Sequence, residues 1–150
     1  ALLKYPAFSP DDFSMFHPGG ALGKKLYLRV GDLYVNNERP AVNLNDDIPS
    51  VIIEISSKRL GATAVMENDK LVGLITDGDL RRMMQSGKPL GSLMAKNIMT
   101  RNPKTTHPNM LLAHALDLMR KSNITQLLVM ENNKYLGVIH LHDILKEGIL

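Results

Sequence analysis

The sequence predicts an α+β fold, close to α/β in its element order, built from two βαββα repeats packed sheet to sheet with pseudo-two-fold symmetry. Three observations predict it. Residues 63–82 read TAVMENDKLVGLITDGDLRR and residues 127–146 read LLVMENNKYLGVIHLHDILK, a gapless match at an offset of 64. Val65, Met66, Glu67, Asn68, Lys70, Gly73, Ile75 and Asp79 recur as Val129, Met130, Glu131, Asn132, Lys134, Gly137, Ile139 and Asp143. Self-similarity at a fixed offset marks two copies of one supersecondary unit that share a core. Apolar runs of strand length then alternate with helical patterns in the same order in both copies. Finally, 150 residues with a net charge of +3 suffice for one ordinary soluble core.

Residues 1–29 stand outside both copies. The stretch 1–4 reads as a helix end stopped before Pro6, because the residue ahead of a proline is pushed out of the α region. Ser9 and Pro10 suit the cap and first position of a short helix. His17-Pro18-Gly19-Gly20 is a turn. The first copy spans 30–88. It has a strand at 41–44, then a helix at 49–59 with Val51, Ile52 and Ile55 on one face. Strands at 62–67 and 71–76 meet at Asn68-Asp69, two residues that tolerate positive φ. Asp77 is a candidate cap for a last helix through Leu80, Met83 and Met84, stopping at Gly87.

The second copy spans 89–150. Its strand is expected at 104–106 and its helix at 109–122, with Leu112, Leu116 and Met119 inward. A hairpin of 126–131 and 135–140 turns at Asn132-Asn133, and a helix follows at 142–147. Gly, Pro and Ser early in 87–101 mark that stretch as a connector.

Composition narrows the function. Lys and Arg are scattered in short pairs with no aromatic-interleaved stripe, which argues against nucleic acid as a partner. No cysteine is present, which removes disulfides, thiolate metal sites and thiol catalysis, and leaves the compartment open with a lean to the cytoplasm. No apolar run approaches the ~20 residues of a membrane span, and no signal peptide is visible. The chain starts at Ala1, as a piece of a longer protein would. Two copies imply two equivalent clefts, so a ligand-binding module leads.

The sharpest local signal is Gly73-Leu74-Ile75-Thr76-Asp77-Gly78-Asp79. A buried strand gives way to a helix within three residues. Free N–H groups and the positive end of the helix dipole suit a phosphate. A carboxylate such as Asp79 suits a ribose diol, and Gly73 lets a base or the partner copy approach the backbone. Thr76 and Asp77 equally suit a plain helix cap. Arg82 has a guanidinium matched to a phosphate or carboxylate, or else lies on a solvated face.

This duplicated βαββα unit with its G-h-h-T-x-x-D ending resembles the paired CBS domains, or Bateman modules, over residues 30–150. The resemblance implies a regulatory pair that binds a nucleotide or nucleotide-linked ligand between the copies and dimerises into a flat disc. It implies that Thr76 and Asp79 hold phosphate and ribose. The second copy keeps Asp143 but has His140 in place of the threonine.

The leader FSPDDFSMFHPGGALGKKLYLRVGDL extends the match. It is similar to the family that joins a sugar-isomerase (SIS) domain to a CBS pair, the D-arabinose-5-phosphate isomerases. That resemblance implies an SIS domain as partner, homodimers of CBS pairs within a homotetramer, and a role toward lipopolysaccharide or capsule. It implies no cofactor, and it makes CMP-Kdo the favoured effector. It also matches His17 to a catalytic histidine of the whole enzyme, whereas this chain alone, without the SIS core, is expected to be inactive. AMP or ATP sensing and a purely structural oligomerisation role are the alternatives. His140 and His142 invite a metal, but no third ligand is evident in the sequence and none is expected.

Overall fold

The computed structural model describes residues 21–149. The expected features at 1–4, Ser9, Pro10 and His17–Gly20 lie outside the described residues. Two short helices, α1 (Ala21–Tyr27) and α2 (Val30–Leu33), lead through a 3-10 turn (Tyr34–Asn36) into strand β1 (Ala41–Asn43). Helix α3 (Ile48–Lys58), strands β2 (Ala62–Glu67) and β3 (Lys70–Thr76) and helix α4 (Asp77–Gln85) complete the first βαββα unit. A 3-10 turn (Leu90–Ser92), helix α5 (Ala95–Ile98) and strand β4 (Thr100–Arg101) follow. The second unit is β5 (Thr105–Thr106), α6 (Leu112–Ser122), β6 (Gln126–Glu131), β7 (Lys134–His140) and α7 (Leu141–Lys146).

The hairpins form where the repeated Asn-rich turns require. Asn68 and Asp69 lie at φ 49 and 67, Asn132 and Asn133 at 52 and 63. Two successive positive φ values match the right-handed twist of the flanking strands. Both hairpins shift register at the same place, between Val65 and Met66 and between Val129 and Met130. In each copy the first strand pairs in parallel with the second, which pairs antiparallel with the third. The stretch read as a bare connector contributes β4, which joins the edge of the first sheet at Gly73–Arg101 and Leu74–Thr100.

Strand alternation divides the apolar residues between three cores. Val65 and Ile75 face the first unit's helices, with Ile48, Val51, Ile55, Leu80 and Met83. Leu127, Val129 and Ile139 face the second unit's helices, with Leu112, Leu116 and Met119. Between the sheets lie Ala62, Ala64, Leu74, Leu128, Tyr135 and Val138. Small alanines on β2 let the second sheet approach closely. The expected inward faces hold with two corrections. Ile52 is exposed, because Ile48 one turn earlier takes the place beside Val51 and Ile55, and Met84 is exposed because Leu80 and Met83 fill the contact.

The leading helices are exchanged. Val30 of α2 is fully buried in the second unit's core, while Ala95 of α5 is fully buried in the first unit's core. Val30 and Gly31 N–H donate to Met110 and Pro108 carbonyls, and Ala95 and Lys96 N–H donate to Asp46 and Leu44 carbonyls. Short bridges Arg29–Leu111 and Asp47–Met94 repeat the symmetry. Each unit therefore closes the core of the other.

Candidate functional site

Two clefts open where the units meet, each lined by the strand–helix junction of one copy and the helix–strand loop of the other. The first, of about 560 Å³, has Thr76, Asp77, Gly78, Arg81 and Arg82 on one side and Ser122–Gln126 on the other, closed by Thr100, Asn102, Pro103 and Lys104. The second, of about 570 Å³, has His140, His142, Asp143 and Lys146 facing Lys58–Gly61, closed by Asn36, Asn37 and Glu38. Both volumes fall within the usual range for small-molecule sites. Asp77 and Gly61 line both clefts, and the Asp77 N–H donates to the Gly61 carbonyl at 3.1 Å.

The Thr76 junction is built as a capping box. Thr76, not Asp77, caps α4: the Asp79 N–H donates to Thr76 Oγ1 at 3.2 Å, and the Thr76 N–H donates to Asp79 Oδ2 at 2.9 Å. Threonine wins because an acceptor three residues on closes the reciprocal pair. Asp79 is 7 % exposed and lines no wall of the Thr76 cleft. Its carboxylate also accepts from Thr100 Oγ1 at 3.2 Å and from Arg82 Nη2 at 2.6 Å. The expected set of free helix N–H groups is thus reduced. Asp77 and Asp79 are engaged, and the Gly78 N–H is left without a protein acceptor among the described residues. Arg82 is largely exposed and reaches from Asp79 to the cleft rim.

Gly73 faces neither a base nor the other sheet. A β-carbon there would lie 2.6 Å from Met99 Sδ and 3.0 Å from the Thr100 carbonyl oxygen. At Gly137 the neighbour is the Tyr34 ring, at 3.0 Å. Both recurring glycines seat the segment that follows an exchanged helix.

His140 caps α7 as Thr76 caps α4. Its Nδ1 accepts from the His142 N–H at 3.0 Å, which leaves Nε2 as the proton-bearing nitrogen of the neutral ring. Its own N–H donates to Asp143 Oδ2 at 2.9 Å, and Asn37 Nδ2 donates to the same oxygen at 2.8 Å. The rings of His140 and His142 stack with centroids 4.9 Å apart. Burial, and behind it the neighbouring His142, holds the His140 imidazole below its ordinary range, with Asp143 pulling weakly the other way. The ring is therefore neutral near pH 7, and can still donate from Nε2. No group of three His, Cys, Asp or Glu among the described residues could hold a metal ion.

Residues 30–86 and 95–149 each match the family model of the CBS domain. The chain belongs to the CBS domain family. Its paired architecture is shared by solved CBS structures. The CBS domain structure NE2398 superposes with a TM-score of 0.70 at 25 % identity, covering 75 % of this chain and 88 % of that one. CBSX2, solved in complex with AMP, gives 0.68 at 19 % identity over 81 % and 96 % of the two chains, a likeness of fold alone. Among curated proteins, the chain is similar to arabinose 5-phosphate isomerase KdsD of Yersinia pestis, at 40 % identity over 100 % of this chain and 46 % of that protein. KdsD of Francisella tularensis is 43 % identical over 97 % and 45 %. The chain spans about half the length of the curated relatives it matches, and the matched half is their CBS region. Among the described residues no helix is long and apolar enough to cross a membrane.

Thr76, Asp77 and Arg82 thus come together in one CBS cleft, His140 and Asp143 in the other, and Asp79 stands behind the first. Sequence reasoning left Lys104, Arg59, Lys58 and Lys146 out of the site. Lys104 reads only as the first residue of a short strand, and the other three follow helical faces whose partner cleft only the packing of the two units defines. The one available signal was the internal alignment, which sets Arg59 against Asn123.

Proposed function

We propose that this CBS pair is the regulatory module of an arabinose-5-phosphate isomerase and that its Thr76 cleft binds a nucleotide-linked anion, with CMP-Kdo as the favoured effector. The observation that carries the reading is the charge of that cleft. Arg81, Arg82 and Lys104 face a single carboxylate, Asp77, beside Thr76, Thr100 and the Gly78 N–H. Leu74, Pro103 and Ile124 supply an apolar wall for a flat base. Guanidinium groups match phosphate and carboxylate oxygens in pairs, and CMP-Kdo carries both. Similarity to KdsD along the whole chain supports the choice of pathway.

In this reading Asp79 reaches a ribose only when Arg82 turns away from it toward the ligand's anion. The sugar-isomerase domain, a homodimer of CBS pairs within a homotetramer, the cytoplasm, and a catalytic part for His17 in the whole enzyme belong to the same proposal. Calorimetric titration with CMP-Kdo, CMP and AMP in parallel tests it. Selective binding of CMP-Kdo, weakened at least tenfold in Arg82→Ala, is the expected result. Preference for AMP would replace the effector with an adenine-nucleotide signal, and binding of none would leave an oligomerisation role.

A further inference from the structure

The two clefts differ in a way that the duplication does not require. In the His140 cleft three fixed cations, Lys58, Arg59 and Lys146, face three carboxylates, Glu38, Asp77 and Asp143. Lys58 is further tied to Glu54 at 2.9 Å. With both histidines neutral the lining carries no net charge, so an anion gains little by entering. Histidine is the side-chain type whose charge responds to pH near neutrality, and the lining of this cleft holds two, His140 and His142.

Their surroundings are fully defined. On α7 itself the pair meets Asp143 and Lys146. Lys58 and Arg59 face it from the end of α3, Asp77 from α4 and Glu38 from the segment before β1. Gln126, opposite His140 in the sheet, is uncharged. Asp143 is already occupied by the His140 N–H and Asn37, so it gives a protonated imidazole limited relief.

A second observation singles out this cleft. Arg59 holds a left-handed backbone at φ 63, where the equivalent Asn123 sits at 55. Asparagine tolerates that conformation and arginine does so at a cost. The Arg59 side chain makes no ion pair or hydrogen bond among the described residues. The left-handed residue closes the end of α3, its N–H donating to the Ile55 carbonyl at 3.1 Å, a role that does not call for arginine, and departures of that kind cluster at functional positions.

We propose that the His140 cleft is a proton-gated oxyanion site, taking a compact divalent anion such as a phosphate group between Arg59, Lys146 and the stacked histidines, and taking it only when those histidines are protonated. The inference rests on the reading of the chain as a ligand-binding CBS pair. It divides the labour of the two clefts: the Thr76 cleft keeps its excess positive charge at every physiological pH, and the His140 cleft acquires one on acidification. The low proton affinity of the empty His140 ring is consistent with this.

The test uses sulfate, which stays divalent throughout the range, so that any proton taken up belongs to the protein. The ring-proton resonances of the histidines are titrated by NMR in millimolar sulfate and in chloride at equal ionic strength. The expected result is an upward shift of about one pH unit for each of His140 and His142, which corresponds to about tenfold tighter binding for each proton and about a hundredfold when both rings are charged. His107, paired with Glu131 elsewhere, and His114 should not move. Arg59→Asn, which restores the backbone preference, should abolish the shift while leaving the melting temperature the same or higher. An equal shift of all histidines, no shift at all, or a shift that survives Arg59→Asn overturns the proposal. Nucleotide binding at the Thr76 cleft is measured near pH 8 without sulfate, where the His140 cleft takes up no anion, so the two readings fail separately.

Discussion

A β-carbon on Gly73 would stand 2.6 Å from the sulfur of Met99 and 3.0 Å from the carbonyl oxygen of Thr100. The glycine is there to seat a strand edge, and its recurrence at 137 seats Tyr34 in the same way. Methionine can swing aside, but the backbone carbonyl cannot. Gly73→Ala should therefore cost about 1–3 kcal/mol as overpacking, more than Gly137→Ala, where only an aromatic edge must give. Urea denaturation of both variants checks the order, and Met99→Ala in the Gly73→Ala background should recover only part of the loss.

The exchanged helices make a prediction about folding. If the chain is cut between residues 88 and 89, the first piece keeps α2, whose Val30 belongs in the second core, and loses α5. The second piece loses Val30 and keeps Ala95. Each piece alone should lack a cooperative thermal transition, and mixing the two should restore one. Independent, cooperative melting of the separate pieces would show that the exchange is dispensable.

Asp79 and Arg82 are joined at 2.6 Å yet should respond differently to removal. Arg82 is 68 % exposed, and an exposed partner contributes about 0–1 kcal/mol. Asp79 also accepts from the Thr76 N–H and from Thr100, so Asp79→Ala opens the cap and should cost about 1–2 kcal/mol. Thermal unfolding distinguishes them. A larger loss in Arg82→Ala than in Asp79→Ala would mean that the ion pair, not the cap, holds the junction.

His140 predicts an acid response without any ligand. Its folded-state proton affinity lies below the ordinary value of 6.5. The unfolded chain therefore binds the proton more readily. The stability that neutral His140 contributes is complete above that ordinary value and is lost as pH falls through the lower, folded one. His140→Thr, which copies the cap of the first unit, should flatten the fall in melting temperature between about pH 7 and pH 5. An unchanged slope in that variant would place the acid sensitivity elsewhere.

Much of the fold was legible because it was written twice. Strands β2, β3, β6 and β7 follow from apolar runs broken by Asn-Asp and Asn-Asn, and the structure places them within one residue of expectation. The exchanged helices were not legible. Val30–Leu33 and Ala95–Ile98 are four residues each, too short to show a helical period, and their partners lie far away in the chain. The exposure of Ile52 was hidden for a related reason. Periodicity marks an apolar face wider than the sheet can cover, and only packing decides which edge stays wet. At the site, Thr76 and Asp77 are both good capping residues, and the choice between them turned on Asp79 closing the box. The basic lining of the His140 cleft, by contrast, had no sequence neighbourhood to announce it, since Arg59 and Lys146 meet only through the pseudo-two-fold packing.

Asp77 lines both clefts, and one carboxylate cannot be fully offset from two sides at once. A cationic side chain drawn toward a ligand in one cleft alters the field at the wall of the other. On the readings proposed above, anions bound in the two clefts therefore do not act as occupants of independent compartments. A titration with one kind of anion should rise more gradually than a simple two-site curve, so that the pair grades its response over a wider span of ligand concentration instead of switching at a threshold.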